Sequence, residues 1–578
     1  MAILGVDVGG TFTDAVLLDG GRVSTGKVLT AQRQEESVLA AAQAAGARAV
    51  ERFAHGTTVA TNALLERKGA RTALVTNIGF EHLLHLRRQT RAQLYRPCAD
   101  WPEPLVPLER CHGVRGRLAP GGELETLDLE SLPAIDADAV AVCLLHAYRD
   151  ASHERAVAAE LRRRLPDARV VASHEVAPEF REYERASTTA ADAYLGPVVA
   201  RYLGALGEAC AGAGLPEPLV MRSSGGVATP DEAAEHPATI LVSGPAAGVV
   251  GASRVAALAG VDDAIAFDMG GTSTDVCLIE DGQAQRASER AVSGLPIRLP
   301  TVDLHTVGAG GGSLVWRDAG GALRVGPQSA GAHPGPACYG RGGTRPTVTD
   351  ANVLLGRVPR VLAGGVELDV AAAERALDGI DPGAVVDVVN AEMLRALRVV
   401  SVERGHDPGD FALVAFGGAG PLHACELAQE LGVRTVLVPE VAGVLSALGL
   451  VAADERRDSV RSYLVPLARA GELPAKGEAD LRYAGQSFEL TLPLQDDLAE
   501  AFHRLHDEEY GFAERDREIE LVAVRTADVR RGPELELPAT ETTHVAGPAV
   551  VELPGSTCWI PPGWVGARDG RILRLTPA

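Results

Sequence analysis

From its first residues the chain switches between short apolar runs and amphipathic stretches. Positions 2–8 (AILGVDV) read as a buried strand, and the apolar run at 15–20 (AVLLDG) closes on Asp-Gly, a hairpin signal. ESVLAAAQAAG (36–46) and HERAVAAELRRRL (153–165) have helical spacing, and the apolar run DAVAVCLLHA (138–147) between them reads as a strand. After a glycine-rich stretch at 307–339, VVNAEMLRALRVVSVERG (388–405) places Val389, Met393, Leu397 and Val400 on one helical face, with Gly405 as the predicted C-cap. FALVAF (411–416) is the next predicted strand, followed by a turn at 417–420 and a helix from Pro421. Strands alternating with helices predict an α/β fold. Beyond residue 460 the pattern shortens to strands between Pro and Gly turns, which predicts a small β-rich C-terminal domain.

An internal repeat lies over this alternation. The segment Asp7-Val8-Gly9-Gly10-Thr11-Phe12-Thr13-Asp14 returns as Asp268-Met269-Gly270-Gly271-Thr272-Ser273-Thr274-Asp275, both reading DxGGTxTD. Apolar strands flank both copies, so the repeat predicts a duplicated domain. Its chemistry is that of a phosphate grip: glycines permit a tight turn, and the missing Cβ lets backbone N–H groups approach phosphate oxygens. Thr11, Thr13, Thr272 and Thr274 add hydroxyl donors, and Asp7 and Asp268 at the strand ends suit Mg²⁺ held through water. A single DxGGT is equally compatible with a capped hairpin turn; two copies in matching context favour a nucleotide site. AFGGAGPLHA (415–424), with Gly417, Gly418 and Gly420, supplies a third turn on the adenosine side. For Asp14 and Asp275 two readings stand open, capping the turn's own backbone or touching the ligand.

Other nucleotide and hydrolase signatures fit less well. No GxxxxGK[ST] is present, the only lysines being Lys27, Lys68 and Lys476. His423 stands where GxGxxG needs its last glycine, and Ser313 is followed by Leu314 and Val315 rather than by the pattern of a GxSxG elbow.

Composition narrows the partners. Over 578 residues, 55 Lys and Arg against 77 Asp and Glu leave a formal charge of −22, which opposes nucleic acid and anionic membrane as partners. It leaves ATP open, because backbone N–H groups and Mg²⁺ can hold phosphates within an acidic protein. Eight cysteines without a CxxC pair predict reduced thiols, and the absence of a leader-like start or a membrane-length apolar run predicts a soluble cytoplasmic protein.

Long stretches carry a resemblance beyond the repeat: GVDVGGTFTDAVLLD (5–19), HGTTVATNALLERKGARTALVTNIGFEHLL (55–84), SGPAAGVVGA (243–252), AFDMGGTSTDVCLI (266–279), DLHTVGAGGGSLVW (303–316), SAGAHPGPACYGRGGTRPTVTDAN (329–352) and SVERGHDPGDFALVAFGGAGPLHA (401–424). On these the chain resembles the hydantoinase A and 5-oxoprolinase family of the actin, Hsp70 and sugar-kinase superfamily. The resemblance implies duplicated actin-like (ribonuclease H-like) ATPase domains, with an N-terminal domain at 1–185, a core domain at 186–457 and a β-rich C-terminal domain at 458–578. It implies ATP and Mg²⁺ as cofactors and a B-type hydantoinase subunit as partner in a hetero-oligomer. The implied reaction is phosphorylation of the carbonyl oxygen of a cyclic amide, so that the B subunit can open the ring. A ketone carboxylase subunit is the alternative within the family; a DxGGT sugar kinase or a non-catalytic nucleotide-switched protein is more distant.

Carried over residue by residue, the resemblance assigns Asp7, Thr11, Asp268 and Thr272 to catalysis. It assigns Gly9, Gly10, Thr13, Asp14, Gly270, Gly271, Thr274, Asp275, Gly417, Gly418 and Gly420 to the nucleotide. His55, Thr57, Thr58 and Asn62 form a polar group in apolar surroundings that lines a substrate cleft or completes a core network. Arg91, with Arg87, Arg88, Gln89 and Tyr95, meets an anionic or carbonyl substrate or forms a solvated basic face. Asp303 and His305, with His333 and Asp350, are candidates for a second divalent metal, and Glu179, Arg181, Glu182 and Arg185 for helix salt bridges. Thr90 and Ser224 stand where relatives carry Asn, a departure that bears on substrate choice.

Overall fold

The structure, a computed structural model, describes residues 2–362, 366–535 and 542–578. Its frame is two large mixed sheets, of ten and nine strands, each built around one copy of the repeat. In the first, Ala2–Val8 runs antiparallel to Phe12–Asp19 and parallel to Arg52–Gly56. In the second, Ala264–Met269 has the same relation to Thr274–Glu280 and to Ala412–Phe416. The registers correspond as well, Asp7 facing Asp14 and Asp268 facing Asp275. This is the duplicated α/β arrangement that the repeat predicts. The strands read as unbroken apolar runs because helices cover both faces; Leu4, Val6, Ile265 and Phe267 are all fully buried.

A third sheet of five strands, from Thr72–Asn77 to Arg169–Ala172, joins the first unit through the long helix Glu182–Gly212. One face of that helix packs with Tyr194 and Leu195 into the core of the first sheet, and another with Ala186 and Ala190 against the third. Two further helices connect the large sheets: Ser243–Leu258 leads into the second repeat, and Leu445–Val451 leads back into the first sheet through Glu455–Pro466. The largest core cluster runs through both sheets, holding Ile3 and Val16 together with Phe267 and Leu413.

After residue 458 the chain is β-rich, as its turn pattern predicts. Its strands extend both large sheets: Glu455–Pro466 with Ile519–Arg530, Glu478–Tyr483 and Leu490–Pro493 continues the first, while Trp564–Asp569 and Ile572–Pro577 continue the second. Added strands satisfy N–H and C=O groups that a sheet edge would otherwise present to solvent. Residues 185 and 458, the expected domain boundaries, lie inside the continuous helix Glu182–Gly212 and the strand Glu455–Pro466. Residues 536–541 of this region lie outside the described residues.

Most predicted elements are present, among them Gln34–Ala44, Ser152–Arg164 and Gly420–Leu431. The helix Pro382–Val400 ends at Ser401, whose hydroxyl turns back to the Leu397 carbonyl at 2.7 Å; Gly405 instead ends the short turn Val402–Arg404. No helix among the described residues is long and apolar enough to cross a membrane.

Candidate functional site

The registers put the acidic ends of the two repeats into two matching cross-strand rows. In the first sheet the row is Gly56, Asp7, Asp14, Lys27; in the second it is Phe416, Asp268, Asp275, Thr306. Residues directly opposite in a sheet point to the same face, so each row carries two aspartates side by side. The rows lie close together, near enough for the charges of Asp7 and Asp14 both to act on Asp268. Loss of water and then Asp14 raise the Asp7 carboxyl to about 7, with Lys27 opposing. Loss of water and then Asp275, Asp7 and Asp14 raise Asp268 to about 8. Asp7 also has a buried Oδ1 without a hydrogen-bond partner. Crowded hard oxygen donors with surplus negative charge, one of them orphaned, suit a hydrated divalent cation such as Mg²⁺.

The turns beside these carboxylates are closed by their own backbone, Gly9 N–H to Phe12 O at 2.9 Å and Gly270 N–H to Ser273 O at 3.0 Å. At Gly10, Gly271 and Gly418 nothing lies within 4 Å of where a Cβ would stand, so the crests of all three turns are open. Thr11 is partly exposed and Thr272 exposed at two of these crests. Thr13 and Thr274 were expected to give hydroxyls to phosphate, and the structure corrects this: both are fully buried. Thr13 Oγ1 meets Thr30 Oγ1 at 3.1 Å, and Thr274 Oγ1 donates to Ala309 O at 2.6 Å, so both brace their turns from behind. Asp14 and Asp275 are bound to neighbouring strands, Asp14 by Lys27 Nζ at 2.6 Å and Asp275 by Thr306 Oγ1 at 2.5 Å.

The second turn rests on the glycine run at 308–312. Gly311 and Gly312 N–H donate to Gly270 O and Gly271 O at 3.0 and 2.7 Å, and a Cβ on Gly310 would stand 2.7 Å from Thr272 N. The third turn leans on the second: Ala419 N–H donates to Met269 O at 2.9 Å. Gly417 has a left-handed φ of 82°, and any side chain there would overlap Asp268 Oδ1. Behind it His423 is buried, its Nδ1 2.7 Å from Asn390 Oδ1 and its Nε2 3.3 Å from Asn352 Nδ2, and burial pushes its pKa down to about 3. Sequence reasoning did not assign roles to Lys27 or to the 308–312 run. The signals were present: a chain with only three lysines has one of them two strands from Asp7, and five residues contain four glycines.

The substrate and metal candidates fare differently. His55 does not line a cleft: it is fully buried, Nδ1 3.1 Å from Val6 O and Nε2 2.8 Å from Tyr202 Oη, which makes it part of a core network. Thr57 is buried too and accepts from Val59 N–H at 3.2 Å, whereas Thr58 and Asn62 keep some exposure and bond each other at 3.2 Å. Arg91 is exposed, Arg88 pairs with Glu184, and Arg87 stacks on Trp101. Asp303 is taken up by an ion pair with Arg404 at 2.5 Å, and Asp350 caps its own helix and accepts from Cys338 N–H at 2.8 Å. No group of three or more His, Cys, Asp or Glu suited to a metal occurs among the described residues, so Asp303, His305, His333 and Asp350 do not assemble. Glu179 and Arg181 make no helix salt bridges: Glu179 holds Arg298 at 3.0 Å and Arg525 at 2.6 Å, and Arg181 reaches Glu489 at 2.7 Å. Arg185 donates to the carbonyls of Glu179 and Leu144.

Comparison with known proteins gives concordant matches. The family model described as Hydantoinase/oxoprolinase matches residues 185–459, and that of the Hydantoinase/oxoprolinase N-terminal region matches residues 3–165. The chain is 32% identical to the caprolactamase subunit alpha of Pseudomonas jessenii, across 99% of each chain. It is 34% identical to 5-oxoprolinase 1 of Arabidopsis thaliana over 82% of its own length but only 44% of that protein's. The crystal structure of the ATP-dependent caprolactamase from Pseudomonas jessenii superposes on the whole chain with a TM-score of 0.88 at 30% identity.

Proposed function

The chain belongs to the hydantoinase/oxoprolinase family, and on that premise we propose that it is the ATP-hydrolysing subunit of a cyclic-amide hydrolase. It transfers the γ-phosphoryl group of ATP to the carbonyl oxygen of a hydantoin, 5-oxoproline or lactam, and a separate B-type subunit opens the activated ring. An unstrained amide is a poor electrophile; phosphorylating its oxygen creates an imidate-like centre with a good leaving group, and ATP supplies the driving force.

One observation carries the reading: two matched aspartate rows lie close together beside open glycine crests, with loss of water and then crowding raising Asp7 to about 7 and Asp268 to about 8. Phosphoryl transfer asks a protein for positioning and charge stabilisation rather than for a strong general base. Gly9, Gly10 and Thr11 on one side and Gly270, Gly271 and Thr272 on the other hold the phosphates, and Gly417, Gly418 and Gly420 the adenosine. Asp7 and Asp268 would hold a hydrated Mg²⁺, which would supply charge neutralisation for the transferring group. Thr58, Asn62 and Arg91 are the substrate-side candidates. The relative from Pseudomonas jessenii is itself a subunit alpha, which supports a partner subunit in a hetero-oligomer. The acidic charge and the unpaired cysteines support a cytoplasmic enzyme without a nucleic-acid or membrane partner.

The test is phosphate release from Mg-ATP with and without the B-type partner, across hydantoin, 5-oxoproline, lactams and simple ketones, with Asp268→Ala as control. Stimulation by one cyclic amide, lost in the variant, is expected. Stimulation only by a ketone with bicarbonate moves the protein to ketone carboxylation, and no binding of Mg-ATP overturns the reading.

A further inference from the structure

The two aspartate rows match except at their outer ends. In the second, Asp275 meets the neutral hydroxyl of Thr306, and the nearest cation, Arg290, stands behind it, donating to Thr306 Oγ1 at 2.9 Å. In the first, a cation occupies the row itself. Lys27 Nζ donates to Asp14 Oδ1 at 2.6 Å and, across the cleft, to Gly443 O at 3.3 Å. Gly443 belongs to the short turn Ala442–Val444 of the second unit, and the preceding carbonyl, Ala442 O, accepts from Gly417 N–H at 2.9 Å. The Lys27 ammonium lies over the Phe12 ring, 5.0 Å from its centre, and its stem runs beside Gly555, whose neighbour Ser556 donates from Oγ to Gly417 O at 2.9 Å. One ammonium group therefore neutralises an aspartate of the first turn and ties that turn to the support of the third.

We propose that Lys27 is a positioning residue for phosphoryl transfer: it fixes the first phosphate turn against the turn at 442–444 and leaves Asp7 as the uncompensated carboxylate of its row. This rests on the nucleotide reading above. Without Lys27 the Asp14 charge acts unopposed beside Asp7, and Gly417 loses a support.

The test uses Lys27→Met, Lys27→Arg, Asp14→Asn and the Lys27→Met/Asp14→Asn double variant of the full chain. Hydrogen exchange without nucleotide reads the tie directly: Lys27→Met should speed exchange at Gly417 and through 441–446. In Mg-ATP turnover with the partner, Lys27→Met should lose about 10- to 100-fold in kcat, the range of a charge-assisted hydrogen bond. Lys27→Arg should recover part of the loss, and adding Asp14→Asn to Lys27→Met should recover part by removing the unopposed charge, which a purely structural lysine would not allow. Unchanged exchange, wild-type turnover in Lys27→Met, or a double variant no better than Lys27→Met overturns the inference. Wild-type protein that does not bind Mg-ATP overturns the nucleotide reading instead, while the exchange result still judges the tie.

Discussion

Replacing Asp7 by Asn should stabilise the protein at alkaline pH while removing its response to Mg-ATP. The Asp7 carboxyl sits at about 7 in the fold against 3.8 as its ordinary value. The folded protein therefore keeps a proton that the unfolded chain gives up at lower pH. The penalty on the folded state is absent below about 4, grows as pH rises to about 7, and is constant above. Three pKa units amount to about 4 kcal/mol. Asp7 keeps a small opening to the cleft, and solvent screening brings the expected value to about 2 kcal/mol. Urea denaturation of wild type and Asp7→Asn between pH 4.5 and 8.5, followed at the transition that Mg-ATP shifts in the wild type, reads this difference. The amide loses the penalty but leaves a polar group without a partner, so the slope with pH decides the matter rather than the absolute offset. The variant should gain on wild type by about 2 kcal/mol as pH rises from 4.5 to about 7 and keep that gain above it, with no Mg-ATP shift at any pH. A pH-independent difference would refute the argument that this carboxylate is held at an energetic cost for a cation.

Further predictions follow from single contacts. Gly310→Ala forces a Cβ to within 2.7 Å of Thr272 N, so the second turn must move; kcat should fall at least about tenfold with circular dichroism unchanged. His423 is held near 3 against an ordinary 6.5, so its contribution is complete above 6.5 and lost as pH falls toward 3; His423→Gln should be less stable than wild type at pH 7.5, with the gap narrowing by pH 5 in thermal melts. Arg525→Met leaves Glu179 and Asp480, 1% and 2% exposed, without their shared cation; a loss of about 3–5 kcal/mol is expected in denaturant titration, and Arg525→Lys should recover part of it.

What the sequence shows plainly is whatever depends on neighbours along the chain. Each DxGGTxTD turn closes within four residues, from Gly9 to Phe12 and from Gly270 to Ser273, so its type and position could be read without the fold. Strand periodicity, pressed further, would also have sorted its members: Asp14 and Thr13 are consecutive in one strand and point to opposite faces, so a cleft-facing aspartate implies a core-facing threonine. The same rule places His55, one residue from Gly56 in the Asp7 row, away from the cleft. Hidden from the sequence are the long-range pairings that assemble the site, Lys27 with Gly443 at a separation of 416 residues and Glu179 with Arg525 at 346. Neither has a local signature, because a lysine on a hairpin and a glutamate before a helix are ordinary surface residues until the two units meet. The join of Glu179 falls where the C-terminal strands extend the first sheet, that of Lys27 at the opposite edge of the same sheet, and both bind segments that the repeats alone would leave apart. The glycine turns are closed within each half, whereas the proposed spacing of the phosphate sites depends on contacts between halves such as that of Lys27 with Gly443. Substitutions at the joins should therefore change turnover through the spacing of intact turns, and those in the turns through direct loss of nucleotide contacts.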